Sequence, residues 1–283
     1  MLAFMSPRRP EIVVVDNDHF NSALTLKCEK TPIKSLKNEE AAAEEVCFTT
    51  LRPHTTAALK LLHINDCPKL SPQGITALVN HCRCLRELSL SYSLLSDELL
   101  KALRDKNVQL ETLRIEAHPE SKSLPSVSDE AWSILSNHSP NINLVLLSYM
   151  SDEEDCKTIL KSCIPVTHLY LGESTPASIV DGIDSCCGLT ELVIAAYGPH
   201  TIDEPLIRAA KSCPRLCAVG LGDCEITSSG FLEFVSICCI RLRVLRVWET
   251  SILEDSKLDV LTVSAKVSAL LGHTWYPESV PFY

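Results

Sequence analysis

The chain has 283 residues, 46% hydrophobic and only 5% aromatic, with fourteen cysteines and a formal net charge of −10. That acidic balance lacks the basic field that draws nucleic acid or anionic lipid. The longest apolar runs, such as residues 144–147, are far below the ~18 residues of a membrane-spanning helix. Neither nucleic acid nor membrane is therefore expected as a partner. At the start, Arg8 and Arg9 follow a very short apolar stretch, the reverse of a secretory signal, so an intracellular chain is expected.

In chain order, residues 1–50 read as an irregular segment. It holds Pro7-Arg8-Arg9-Pro10, a short β-like run Ile12-Val13-Val14-Val15, a weak degenerate repeat at 24–36 and an Ala/Glu helix at 38–46. From there to residue 262 an apolar signature recurs, Leu-x-x-Leu-x-Leu-x-x-Cys/Ser/Thr. Its first position falls at Leu59, Leu85, Leu110, Ile142, Val166, Leu189, Leu216 and Leu242. All but one of the intervals lie in the roughly 20–29-residue window of leucine-rich repeats. Two apolar residues separated by one point to the same side of a short strand. Between the strands lie amphipathic segments such as 96–103 and 231–235, with Ser71, Ser96, Ser128, Asp203 and Thr227 as N-cap candidates. One strand and one helix per repeat predict an α/β leucine-rich-repeat solenoid, a horseshoe with short parallel strands inside and helices outside. Residues 263–283 form the end of the last helix and a tail.

The cysteines follow the repeat. Cys82, Cys163, Cys186, Cys213 and Cys239 each stand three residues before a repeat's first apolar position, and Cys67 and Cys224 stand eight after. A small, soft side chain fits a packing slot. Zinc or disulfides are the alternative, but the chain has no Cys-x-x-Cys. No metal or resident cofactor is expected. Catalytic signatures are missing as well: there is no Gly-x-x-x-x-Gly-Lys, His-Glu-x-x-His or Gly-x-Ser-x-Gly. Gly220-x-Gly222 lies within a repeat strand and reads as structural. A non-catalytic protein is expected.

What remains is a surface. The residue between the two strand apolars should face the concave side, which places His63, Ser89, Arg114, Leu146, Tyr170, Val193, Gly220 and Arg246 in one stripe. Such a curved stripe is what repeat proteins use to hold macromolecules. Its candidates for partner contact are His63, Arg114, Tyr170 and Arg246. The C-terminus adds Trp275, Tyr276 and Pro277, then Pro281, Phe282 and Tyr283. Trp275 and Tyr276 either cap the open end of the core or join the partner surface; Phe282 and Tyr283 have no obvious core to enter.

Several runs resemble a known family. They are the segment from Leu59 to Ile64 followed by Cys67-Pro68 and Ser71-Pro72-x-Gly74, then Leu85-Arg86-Glu87-Leu88, residues 94–100, and Leu113-Arg114-Ile115. To these are added His138-Ser139-Pro140, Asn143-Leu144-Val145, Thr167-His168-Leu169-Tyr170 and Gly220-Leu221-Gly222-x-Cys224-Glu225. Together with Trp275-aromatic-Pro277 and Pro281-x-aromatic, they are similar to the cryptochrome-binding subfamily of F-box/leucine-rich-repeat proteins over residues 50–283.

The resemblance implies a substrate-recognition subunit of a Skp/cullin/F-box ubiquitin ligase, working in cytoplasm and nucleus on cryptochromes of the circadian clock. Repeats and tail would clasp the photolyase-like domain of this flavoprotein, with the tail entering its flavin pocket. Tyr283 stands where the family has a terminal Trp, Pro281 matches its Pro, and Trp275 and Pro277 match the upstream pair. The family's F-box, which docks the Skp-type adaptor and through it the cullin, is not evident in residues 1–50. A binding-only repeat protein uncoupled from the ligase, a truncated or decoy form, is therefore the alternative.

Overall fold

The computed structural model describes residues 12–16, 25–26, 59–64, 71–106, 108–119, 124–195, 200–248, 251–255 and 258–277, the first two segments by backbone alone. Most of the degenerate repeat at 24–36, the helix expected at 38–46, Cys67, Pro281, Phe282 and Tyr283 lie outside the described residues.

A Leu-x-Leu run buries both leucines when its backbone is extended, and the segment that follows buries an apolar stripe when it is helical. Strand and helix therefore alternate. The chain forms two compact units, Met1–Glu116 with Pro125–Asn143, and Ala117–Leu124 with Leu144–Tyr283. The first contains β1 (Ile12–Asp16), β2 (Thr25–Leu26), β3 (Leu61–Ile64), α1 (Pro72–Val79), β4 (Glu87–Ser91), α2 (Asp97–Asp105), β5 (Thr112–Ala117) and α3 (Asp129–His138). Its strands run in the order β2-β1-β3-β4-β5, parallel except for β1 with β2. Ile12 lies opposite Leu61 and Val15 opposite Ile64, so the β-like run read within the N-terminal segment is a strand of the ladder.

The second unit contains β6 (Asn143–Ser148), α4 (Glu153–Ile159), β7 (His168–Leu171), a 3-10 segment (Ala177–Ser185), β8 (Glu191–Ile194), α5 (Asp203–Ser212), β9 (Ala218–Gly222), β10 (Glu225–Thr227), α6 (Ser228–Cys238), β11 (Val244–Trp248), β12 (Ser251–Leu253) and α7 (Val260–Leu271). Strands β6-β7-β8-β9-β11 form a parallel ladder, and β10 pairs with β12. This is an α/β leucine-rich-repeat fold. The shortest repeat spacing, from Val166 to Leu189, carries the 3-10 segment in place of an α-helix. Among the described residues, no helix is long and apolar enough to cross a membrane.

The ladder stacks like side chains on like. Leu62, Leu88 and Leu113 share one row of the first unit, and Leu169, Leu192 and Val219 one row of the second, all buried. Each such side chain contributes roughly 1.5–3 kcal/mol by leaving water. The cysteine slots lie in the same core. Cys82, Cys186, Cys213 and Cys224 are buried and Cys163 is half-buried. At the last slot Cys238 is buried and Cys239 only half-buried, one residue away from the expected position, because Cys238 is the one on the inward face of α6. The thiols donate to backbone carbonyls: Cys82 to Leu78 at 3.5 Å, Cys213 to Cys186 at 3.3 Å and Cys238 to Phe234 at 3.1 Å. Burial pushes Cys82, Cys186 and Cys213 up to about 11 and Cys238 up to about 12. Among the described residues every cysteine is free, and no three metal-binding side chains gather.

Side-chain caps hold the N-termini of most helices. Ser71, Ser96, Ser128 and Thr227 accept from the backbone N–H of Gly74, Leu99, Ala131 and Gly230, at 3.0–3.2 Å. Asp203 does something else. It is the first residue of α5, not its cap, and its Oδ1 accepts from the Thr227 backbone N–H at 2.8 Å and the Thr227 hydroxyl at 3.1 Å. Asp97 clamps Ser128 in the same way, at 2.9 and 2.6 Å. An acid in the first turn of one helix thus fixes the cap of the next. Burial works against the Asp97 carboxylate, but the hydrogen bonds from Ser128 and the charge of Lys101 outweigh it, and its pKa falls below the ordinary value.

Gly230 makes room for the second clamp: a Cβ there would sit 2.0 Å from Asp203 Oδ1. Gly→Ala in a helix is ordinarily worth up to ~1 kcal/mol. Here we expect the opposite sign, Gly230→Ala destabilising by about 1 kcal/mol in urea unfolding. In an Asp203→Gly background, which removes the carboxylate together with the Cβ of residue 203 that would stand 2.8 Å from the new one, the same change should become stabilising, and destabilisation in both backgrounds would refute the clamp. The thiols give a second expectation. At pH 8, Cys84 and Cys187, both exposed, should react with a maleimide in the folded protein while Cys82, Cys186, Cys213 and Cys238 stay protected until it unfolds, as read by peptide mass spectrometry.

Candidate protein-binding face

Because successive side chains of a strand alternate, the register that stacks the core also aligns the outer residues into rows, on the face away from the helices. In the first unit His63, Ser89 and Arg114 share one row, flanked by Glu87 with Thr112 on one side and Ser91 with Glu116 on the other. This face is polar and its charges are matched. His63 Nε2 lies 2.9 Å from Glu87 Oε1, and Arg114 Nε donates to Glu116 Oε1 at 3.1 Å. Ser89, between the two larger side chains, is buried.

The second unit is different. One row holds Leu147, Tyr170, Val193, Gly220 and Arg246; the row before it holds Val145, His168, Glu191, Ala218 and Val244. Of ten positions only His168, Glu191 and Arg246 carry ionisable groups other than a phenol. Partly exposed Val145, Leu147, Val193, Ala218 and Val244 make this an apolar surface. Patches of that kind mark protein contacts.

Tyr170 and Arg246 are therefore brought into one row, as are His63 and Arg114 within the first unit. Leu146 is not where the stripe was expected. It is 1% exposed and points into the core, and Leu147 takes the place opposite Tyr170. The repeat that begins at Ile142 has one extra residue before its strand, and a shift of one residue inverts a strand's faces.

One row further on, the sheet carries aromatic residues that the motif count missed. Gly222 lies opposite Trp248, whose ring covers the glycines of β9: a Cβ on Gly222 would be 2.4 Å from the indole, and one on Gly220 2.9 Å. Gly220-x-Gly222 is structural in this sense, the seat of Trp248. Tyr149, 41% exposed, lies over Gly172 with its Cδ1 3.1 Å from where a Cβ would stand, and stacks on His118 at 4.7 Å. Extending the strand alternation two residues past Arg246 would have found Trp248. Between β8 and β11 the face sinks into a cleft of about 220 Å³ over Ala218 and Gly220, with Glu191 and Val193 on one wall and Arg246 and Trp248 on the other. The Tyr170 hydroxyl donates to Glu191 Oε1 at 2.9 Å.

The aromatic C-terminus divides in two. Trp275 is 5% exposed, its ring packs 5.4 Å from Phe231, and its Nε1 donates to the Leu245 carbonyl at 2.9 Å. Ser268 Oγ accepts from its backbone N–H at 2.9 Å. Trp275 is thus a cap on the core and is corrected from the partner-binding set, because the indole is already spent on the interior. Tyr276 is 66% exposed and Pro277 half-buried.

No family model matches the chain. It is 35% identical to F-box/LRR-repeat protein 21 of Bos taurus, 36% to that of Mus musculus and 35% to that of Ovis aries, each over an alignment of 288 positions that takes in all of this chain. The chain is homologous to the F-box/LRR-repeat proteins along its whole length. It spans 66% of the length of these relatives. Among solved structures it is similar to one titled a complex of Rad7 and Elc1 in yeast, at TM-score 0.44 and 18% identity over 83% of this chain and 61% of the other. A complex of TLR13 with ssRNA13 gives TM-score 0.42 and 11% identity over 73% and 32%.

Trp275→Ala should destabilise the protein by about 3–5 kcal/mol, the range for emptying a buried aromatic site, while Tyr276→Ala should change stability by less than about 0.5 kcal/mol. Chemical denaturation of both variants checks this; equal effects would mean that Trp275 does not close the core.

Proposed function

We propose that this chain is the recognition part of a substrate-receptor subunit of a Skp/cullin/F-box ubiquitin ligase, non-catalytic itself, and that it holds a cryptochrome-like flavoprotein in cytoplasm and nucleus. The observation that carries the reading is the 35–36% identity to F-box/LRR-repeat proteins across the whole chain. Its apolar sheet face in the second unit, sparing in charge, supports protein recognition. In this reading the F-box that joins such repeats to a Skp-type adaptor belongs upstream of the repeats.

Partner contact is assigned to two places. One is the row containing Tyr170 and Arg246, with Trp248 added. The other is the C-terminus beyond the Trp275 cap, where exposed Tyr276 and half-buried Pro277 are followed in sequence by Pro281, Phe282 and Tyr283. Aromatic residues concentrate interface energy, and prolines reduce the entropy lost on docking. His63 and Arg114 of the first unit, each bonded to a neighbouring carboxylate, are assigned a lesser part of the contact in this reading.

Deleting residues 281–283 should weaken binding of a cryptochrome photolyase-like domain at least tenfold in calorimetry, as the loss of an anchor worth about 2 kcal/mol requires. The thermal unfolding midpoint should stay unchanged, and free flavin should compete with the intact chain. Unaltered affinity after the deletion would overturn the assignment of the tail, and no binding by the intact chain would overturn the cryptochrome reading.

A further inference from the structure

The cleft over β9 has a shape that limits what can enter it. Its floor is the small side chain of Ala218, with the Trp248 ring lying over Gly220 beside it, and its walls stand on β8 and β11, the two strands that flank β9. Two strand spacings set those walls only ~9.6 Å apart from backbone to backbone. An α-helix, ~10–12 Å across with its side chains, is too wide to reach the floor. A single side chain is not. The volume of about 220 Å³ leaves room for a large one.

The walls narrow the choice further. On the β11 side the Trp248 indole, held flat against Gly220 and Gly222, offers a ring to a ring, and aromatic pairs gain from offset or edge-to-face contact. Arg246 adds positive charge to that same wall, suited to a carboxylate. On the β8 side Glu191, held by the Tyr170 hydroxyl, supplies negative charge. An acidic group on the occupant is therefore favoured next to β11 and repelled next to β8.

Resting on the reading of this unit's outer face as the partner-binding surface, we propose that the cleft seats one aromatic side chain of the recognised protein, with an Asp or Glu of that protein beside it meeting Arg246. Two small residues of β9 make the seat: Gly220 admits the Trp248 ring that forms its aromatic wall, and the methyl of Ala218 leaves the space beside that ring open.

The test is a display library of random twelve-residue peptides selected on the full chain. Enriched peptides should share an aromatic residue with Asp or Glu within two positions. In calorimetry, Val193→Trp, which fills the cleft from a partly exposed wall position, should weaken a selected peptide at least tenfold. Arg246→Glu, at an exposed position, should shift the selected neighbour from Asp or Glu to Lys or Arg. No aromatic enrichment, undiminished binding to Val193→Trp, or an unchanged neighbour with Arg246→Glu would each overturn the inference. The cryptochrome domain run against the same variants separates the two readings. If it binds wild type and variants alike while the peptides fail, the cleft assignment falls alone; if it never binds while the peptides behave as expected, the partner reading falls and the cleft stands.

Discussion

The parallel register between neighbouring strands determines both sides of each sheet at once. A leucine at one position of a strand meets a leucine at the matching position of the next, which is how Leu169, Leu192 and Val219 form one buried row. The residues one step along are then forced into a row on the opposite face, whatever their chemistry. The core selects the register, and the outer surface inherits it. Repeat stability is a sum of such neighbour contacts, so the alignment of Tyr170 with Arg246 is as firmly set as the leucine ladder beneath it.

Register alone does not hold the helices, which must also satisfy their first N–H groups. Here two of the caps are shared between repeats. Asp97 and Asp203 each receive two hydrogen bonds from the next helix's cap residue, Ser128 and Thr227. At the second of them the acid comes so close to the capped helix that only Gly230 leaves it room. The same economy of space operates on the outer face of the second unit, where glycines on one strand admit an aromatic ring from its neighbour: Gly172 under Tyr149, and Gly220 and Gly222 under Trp248. Glycine therefore has a steric role in this fold at positions where the backbone needs no unusual dihedral. Trp275, nearer the C-terminus, instead fills the interior next to Phe231 and hydrogen-bonds the Leu245 carbonyl.

The two units divide the chemistry of their outer faces. In the first, His63 is hydrogen-bonded to Glu87 and Arg114 is paired with Glu116, so a partner that took up either group would have to replace a contact already made. In the second, valine, leucine and tyrosine predominate, and transfer of that surface out of water is available as binding energy. Under the proposed function, composition favours the second unit as the source of affinity, with its few charges orienting what binds.

The repeat period, the strand positions and most helix caps were legible in the sequence, because they follow from local rules: alternation of two, a spacing near 25 residues, and Ser or Thr before an apolar run. The strand at 12–15 was legible too as a β-like run. What local rules could not decide was phase. One extra residue after Ile142 moved Leu146 into the core and Leu147 onto the face, and one step along α6 exchanged Cys238 for Cys239, since both depend on which side the neighbouring repeat stands. Asp203 carried a capping side chain, but only the next repeat's Thr227 determined what it would cap. Trp248 and Trp275 were both aromatic residues near the end of the chain; whether each faced outward over glycine or inward against Phe231 depended on volume left by residues distant in sequence, which exists only once the repeats have stacked.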